Sequence, residues 1–94
     1  MGGNPKGEKA VYIGNRPTMN YVTAIIMVFN ESKFCTVKAR GRAISKAVDV
    51  CEVLKNRYMK DVKYKNIVIS TENITGKDGK ENNVSSMEIY LTTM

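Results

Sequence analysis

Two periodicities in the pattern of apolar and polar residues divide the chain into strands and helices. Residues 10–13 are rich in β-branched and aromatic side chains and predict a short strand. Residues 18–29 carry apolar side chains at helical spacing, and Pro17 suits a first helical turn, where its missing N–H is no loss. Residues 34–39 alternate as a second strand, and helical spacing returns after Arg42. The first half of the chain therefore predicts strand, helix, strand, helix.

The second predicted helix has more apolar surface than one contact requires. Its main stripe consists of residues at helical spacing: Ile44, Ala47, Val48, Cys51, Leu54 and Tyr58. Val50 and Val53 widen the apolar surface toward a second side. We expect one side to pack on the sheet and the other on a second subunit, with a thick core inside a single chain as the alternative.

The last third of the chain predicts a long hairpin. Residues 62–71 and 84–92 have the pattern of strands, and Asp78-Gly79 between them is a strong turn signal. The tip at residues 76–83 is too polar to pack, so we expect an arm that reaches beyond the body and stays mobile until a partner holds it. The predicted fold is α+β, an α/β two-layer sandwich in the order β-α-β-α-β-β. Two helices lie on one face of a four-stranded mixed sheet, and the carboxyl-terminal hairpin protrudes.

Strand direction places three loops at one edge of this sheet. If the first two strands are parallel with a right-handed helical crossover, residues 14–17 and 40–42 both follow carboxyl ends of strands and share that edge. The third strand then runs toward the same edge and brings the hairpin tip, with Lys77 and Lys80, to the same side. Three basic elements are therefore expected to converge there.

The loop Arg40-Gly41-Arg42 has the chemistry of an anion site. Gly41 frees the backbone at the turn, and the first N–H groups of the following helix lack intrahelical partners at the positive end of its dipole. Arg40 and Arg42 can each direct a fork of N–H donors at phosphate oxygens. The alternative is a solvated surface turn.

Five further residues are candidates for contact with nucleic acid. Arg16 repeats the same logic at the start of the first helix. Lys46 either touches a phosphate or pairs with an acidic neighbour on its helix. Tyr21 either stacks on a base or belongs to the core, and Lys77 and Lys80 are either phosphate contacts or solubilising charges of the hairpin.

Composition favours an acidic partner. Fifteen lysines and arginines stand against nine aspartates and glutamates, a net charge of +6, although solubility alone can account for this charge. No apolar run approaches the roughly 18–20 residues of a membrane span, so we expect no membrane partner. Residues 1–8 are expected to be a flexible lead-in, and residues 9–94 a single domain.

Catalytic and metal chemistry are not expected. The chain has no histidine and no phosphate-loop motif, so we predict no enzyme, no cofactor, no metal and no small-molecule substrate. Cys35 and Cys51 are predicted to be buried free thiols, a usage that favours a cytoplasmic protein.

Three stretches closely resemble the Alba family of small archaeal chromatin proteins: GNRPTMNY at residues 14–21, KARGRAISKAVD at 38–49, and NRY at 56–58. The resemblance covers residues 9–91 in order. It implies a homodimer whose subunits have the fold of the carboxyl-terminal domain of translation initiation factor three. It also implies that this homodimer binds double-stranded DNA, and RNA as well, with little sequence preference. Relatives occur among the protein subunits of ribonuclease P and related RNA-processing particles.

The resemblance also implies roles for individual residues. Arg40 and Arg42, on either side of Gly41, match the basic loop of the family. Arg16 matches one of two adjacent lysines, and Asn15 stands where the other, acetylated lysine is found. Control by acetylation at this site is therefore not expected.

Two further matches concern assembly and the hairpin. Tyr58 matches a phenylalanine that in family members contacts a neighbouring dimer along DNA. Lys77 and Lys80 fall in the hairpin that family members lay toward the minor groove. We therefore expect a dimeric, chromosome-associated protein that binds and condenses DNA through phosphates. The alternatives are an RNA-binding subunit of an RNA-processing ribonucleoprotein and a purely structural dimer.

Overall fold

Two helices cover one face of a four-stranded mixed sheet, as predicted. The computed structural model describes residues 9–94, and the predicted lead-in at residues 1–8 lies outside the described residues. The elements are β1 Ala10–Tyr12, α1 Thr18–Phe29, β2 Phe34–Arg40, α2 Ala43–Val53, β3 Lys63–Thr75 and β4 Glu81–Thr92. A π-helical turn, Leu54–Tyr58, continues α2. No helix in this part of the chain is long and apolar enough to cross a membrane.

The sheet has the strand order β1-β2-β4-β3. β1 is parallel to β2, whereas β4 is antiparallel to both of its neighbours. β3 therefore runs in the same direction as β2. Arg40 at the end of β2 pairs with Ser86, which in turn pairs with Ser70 of β3. The two loops and the base of the hairpin therefore lie at one edge, as predicted, whereas the tip with Lys77 and Lys80 lies beyond the Thr75–Glu81 pair, five residues past Ser70 and Ser86.

The core lies between the sheet and the helices. In β2 every second residue, Cys35, Val37 and Ala39, is buried against the helices. Both cysteines are free and buried, as predicted, and burial raises the pKa of each thiol to about 12.

The apolar stripe of α2 differs from the predicted one. Val50 is 0% exposed and belongs to the core, whereas Val48 is 42% exposed. Tyr58 is also exposed, because it ends the π-helical turn, whose residues depart from the α-helical phase. Apolar residues surround so much of α2 that their spacing alone left its phase ambiguous.

The hairpin projects beyond the sheet as a two-stranded arm, residues 71–85. Pairing continues from Thr71 and Ser85 to Thr75 and Glu81, past the residue where β2 ends. Gly79, with φ 82°, closes the turn by donating its N–H to the Gly76 carbonyl at 3.0 Å. Both strands are longer than predicted. The arm has no buried face, so its residues lack the alternation of apolar and polar side chains from which the strand bounds were predicted. The arm accounts for a longest dimension of 43 Å against 27 and 24 Å.

Candidate nucleic-acid interface

The sheet edge that carries residues 14–17, the first loop, and residues 40–42, the second loop, is called the basic edge. Tyr21 holds the first loop in place. Its ring is buried in the core, and its hydroxyl accepts the backbone N–H of Gly14 at 2.9 Å and of Arg16 at 3.0 Å. The loop passes so close that a Cβ on Gly14 would lie 3.3 Å from that hydroxyl. A buried ring offers no face to a base, so stacking by Tyr21 does not fit the structure. Tyr21 instead fixes the backbone that carries Asn15 and Arg16, whose side chains are exposed.

Lys46 joins the second helix to the same loop. Its ammonium donates to the Arg16 carbonyl oxygen at 2.8 Å. This contact spans 30 residues of sequence and places the first loop beside the amino-terminal part of α2. The Lys46 ammonium therefore bonds to this carbonyl and not to an acidic neighbour on its helix, and its contact with phosphate stays a prediction.

The second loop connects the body to the arm. Gly41 has φ 51°, the left-handed conformation that glycine adopts without strain, and it donates its N–H to the Ser85 carbonyl at 2.8 Å. The Gly41 carbonyl accepts the Ile44 N–H at 3.1 Å, so one of the first helical N–H groups expected to bind an anion is already used. Arg42 is the N-cap residue of α2 and makes no side-chain cap, and the first turn of the helix holds no acidic residue. The positive end of the helix dipole is thus not neutralised by its own helix.

Arg40 forms an ion pair with the arm. Its guanidinium lies 3.1 Å from the Glu72 carboxylate, and both side chains are partly exposed. The sequence interpretation missed Glu72, although strand parity carried the signal: Glu72 and Ser70 point to the same side of β3, and Ser70 is level with Arg40. Arg40 therefore reaches an anion before any ligand binds.

The arm itself is not basic. Residues 71–85 carry two lysines and three carboxylates, a net charge of −1. Lys77 and Lys80 are exposed at the turn, beside Asp78, whose carboxylate accepts the Lys80 N–H at 3.0 Å. The arm also presents neutral side chains that can hydrogen-bond: Thr71, Asn73, Thr75, Asn82, Asn83 and Ser85. The positive charge of the edge is thus concentrated in its two loops and α2, at Arg16, Arg40, Arg42 and Lys46.

Tyr58 lies beside the start of α1. Its hydroxyl is 3.9 Å from the Met19 sulfur at the start of α1, and its ring is exposed. The π-helical turn closes behind it through a Met59 N–H bond of 2.7 Å to the Leu54 carbonyl. An exposed aromatic on such a turn is available for a contact, and its role between dimers stays a prediction.

Comparison with known proteins identifies one family throughout. The family model described as Alba matches residues 9–71. A DNA/RNA-binding protein Alba from Methanocella arvoryzae is 49% identical over 85 residues, which cover 89% of this chain and 88% of the relative. Another from Methanococcus maripaludis is 50% identical over 86 residues, covering 89% and 97%.

Solved structures give the same result. Alba from Thermoplasma volcanium is 44% identical and superposes with a TM-score of 0.83 over 88% of this chain and 98% of that one. ALBA1 from Trypanosoma brucei is 29% identical, with a TM-score of 0.73 over 93% of this chain and 70% of that one. The expected architecture and the suspected family are both confirmed.

Proposed function

The chain belongs to the Alba family, and from that membership we propose that it is a dimeric chromatin protein that binds double-stranded DNA, and also RNA, through backbone phosphates. One observation carries the proposal. Two loops at adjacent carboxyl ends of parallel strands bring Arg16, Arg40 and Arg42 to one edge, where Lys46 bonds the first loop to α2. Guanidinium forks on fixed loops beside an uncapped helix suit phosphate oxygens.

Binding is expected to be nearly independent of base sequence. Arginine contacts to phosphate position a protein on the duplex and carry no sequence information directly. The polar side chains best placed to approach base edges are those of the arm, such as Asn82 and Asn83. Since the arm is net negative, its approach to a groove rests on hydrogen bonds and shape and not on attraction to phosphate.

Dimerisation rests on an apolar surface that the single chain leaves open. Ile67 and Ile69 of β3 lie on the helix side of the sheet, paired with Ile89 and Met87, yet both are exposed. Val48 of α2 is exposed as well. A second copy of the chain would cover such residues and place two basic edges on one particle.

The test is a salt titration of duplex binding. If each protomer contacts about three phosphates, a dimer contacts about six, and log affinity against log salt should have a slope near −5. Arg40→Ala with Arg42→Ala removes about four of the six contacts and should bring the slope near −2 for every duplex sequence. Loss confined to one sequence would instead indicate base readout.

The matched control for this experiment is Lys33→Ala with Lys60→Ala. These exposed lysines precede β2 and β3, at the opposite edge of the sheet, and their replacement changes the net charge equally. The control should keep the slope near that of the unmodified protein. An equal fall in both variants would contradict a localised phosphate site.

RNA is the second ligand that the family supports, because the curated relatives are named for both DNA and RNA. Competition at physiological salt between duplex DNA, structured RNA and single strands measures the preference. Dominant recovery of duplex DNA supports the chromatin role and chromosome association. Dominant recovery of structured RNA favours a subunit of an RNA-processing particle.

A further inference from the structure

The face of the sheet without helices carries exposed aromatic side chains. Alternate residues of each strand point away from the core, and on this face Tyr12 of β1 is 58% exposed and Phe34 of β2 is 44% exposed. Tyr90 of β4 lies opposite Thr36 on the same face. The duplex-binding proposal uses none of these three rings.

Two hollows lie on this face beside the rings. The larger, about 450 Å³, is lined by residues that include Tyr12, Lys38 and Arg40. The smaller, about 220 Å³, is lined by residues that include Phe34 and Lys65. Since Tyr12 pairs with Lys38, four residues along β2 from Phe34, the backbone positions of Tyr12 and Phe34 are about 13 Å apart along the strand direction.

Each of the two rings has a lysine at its face. The Lys38 ammonium is 5.5 Å from the centre of the Tyr12 ring, and the Lys65 ammonium is 4.9 Å from the centre of the Phe34 ring. Lys65 is the extra residue of a β-bulge between Tyr64 and Asn66. Bulges re-aim side chains, and this one lets a residue of β3 lie over a ring of β2.

A paired aromatic and lysine suit one nucleotide of a single strand. Stacking of a base on an exposed aromatic ring is worth more than the contact of an exposed ammonium with that ring. A base can therefore displace the ammonium, which then lies within reach of the adjoining phosphate. Two such pairs along β2 would engage two separated nucleotides of one extended strand. A duplex is a poor occupant, because its base faces are already stacked.

The polar groups between the rings favour RNA over single-stranded DNA. Glu88 lies opposite Lys38 on β4, and its carboxylate accepts the Tyr90 hydroxyl. A carboxylate repels phosphate, but it can accept a hydrogen bond from a ribose 2′-hydroxyl, which DNA lacks. Arg40 borders the larger hollow, so a strand on this face is continuous with the basic edge.

We propose that the helix-free face binds single-stranded RNA, with bases stacked on Tyr12 and Phe34 and phosphates neutralised by Lys38 and Lys65. This site is distinct from the basic edge, where we place duplex DNA, and the two meet at Arg40. Its existence does not depend on the duplex proposal.

The first test measures the anisotropy of fluorescein-labelled dodecauridylate in physiological salt. Tyr12→Leu with Phe34→Leu keeps apolar volume but removes both stacking faces, and should weaken RNA binding at least about tenfold. Duplex DNA binding by the same variant should stay within about twofold. Unchanged RNA affinity in this variant would overturn the site, as would a lack of binding by the unmodified protein, and the duplex titration would be unaffected by either result.

Three controls separate stacking from other effects. Met27→Ala removes a side chain that is 63% exposed on α1, and should leave RNA affinity unchanged. Tyr12→Phe retains the ring and should bind as the unmodified protein does. Deoxyuridine dodecamer should bind more weakly than the RNA; equal affinity would contradict the assignment to RNA.

The second test locates the strand directly. Ultraviolet irradiation of the complex with oligouridylate, followed by mass spectrometry of the peptides, should give cross-links at Tyr12 and Phe34. Cross-links restricted to residues 14–17 and 40–42 would overturn the site, because they would place single strands at the basic edge.

Discussion

At the scale of single residues, the ion pair of Arg40 governs how the basic edge meets a phosphate. The guanidinium has to leave the Glu72 carboxylate, or share its five N–H donors, before it binds a phosphate oxygen. Exposed ion pairs of this kind contribute about 0.2–1 kcal/mol, so Glu72 is a mild competitor and not a lock. It also draws the base of the arm toward the second loop.

Replacement of Glu72 by glutamine should therefore strengthen duplex binding by about two- to fivefold at low salt, because the competing charge is lost. The matched control is Glu81→Gln, an arm carboxylate that accepts a hydrogen bond from Asn73 at 3.3 Å instead of pairing with an arginine. Fluorescence titration at two salt concentrations measures both variants. Equal gains would mean that only net charge matters, and a loss with Glu72→Gln would mean that the pair orients Arg40 for its ligand.

At the scale of elements, the first loop is held by a side chain of the helix that follows it. The Tyr21 hydroxyl satisfies two backbone donors at once, in a loop whose residue Pro17 provides no side-chain cap for α1. A loop without these bonds would have to order itself on binding, and the entropy of that ordering would reduce affinity.

Tyr21→Phe should lower the free energy of unfolding by about 1–2 kcal/mol, since two partly buried N–H groups lose their acceptor. Duplex affinity should also fall, by about two- to fivefold, because Arg16 loses its fixed backbone. Tyr58→Phe removes a hydroxyl whose hydrogen-bond partner among residues 9–94 is the Met19 sulfur, at 3.9 Å, so it should change stability by less than about 0.5 kcal/mol. Urea denaturation compares the two; equal stability would show that the loop is held by other contacts.

The sequence was sufficient for the elements that build the core and insufficient for those outside it. Buried strands and α1 keep a periodicity because one side of each contacts the core, and their bounds were predicted closely. The arm lacks that constraint, so its strands were predicted too short by four residues at Thr75 and three at Glu81. The predicted buried side of α2 was wrong for the opposite reason, since apolar residues on many sides of the helix permit more than one buried stripe.

The candidate site divides in the same way. Convergence of the two loops was predicted from the parallel direction of β1 and β2, which follows from the order of elements and the right-handed crossover between them. The Tyr21 hydroxyl bonds, the Lys46 bond to Arg16 and the Glu72 pair depend on distances between side chains remote in sequence. No spacing rule encodes such distances. The arm was predicted to be basic from its two lysines, whereas its three carboxylates make its net charge −1, a value that the sequence alone provides.

At the scale of the whole molecule, oligomeric state determines how many phosphates one particle can engage. A single chain offers one basic edge, whereas the proposed two-fold dimer offers two. The helix side of β3 is where we place the contact, because Ile69 is 70% exposed there beside Ile67. Apolar side chains this exposed on an edge strand favour association.

Ile69→Glu should convert the protein into a monomer at micromolar concentration, since the interface would have to bury an unpaired carboxylate. Sedimentation velocity measures the change, and Met27→Glu, which places the same charge at an exposed position on α1, should remain dimeric. The monomer also makes a quantitative link to binding: with about three phosphates instead of six, its salt slope on duplex DNA should fall to about −3. A monomer that retains a slope near −5 would show that one edge alone carries all the contacts, and a dimer that survives Ile69→Glu would place the interface on another surface.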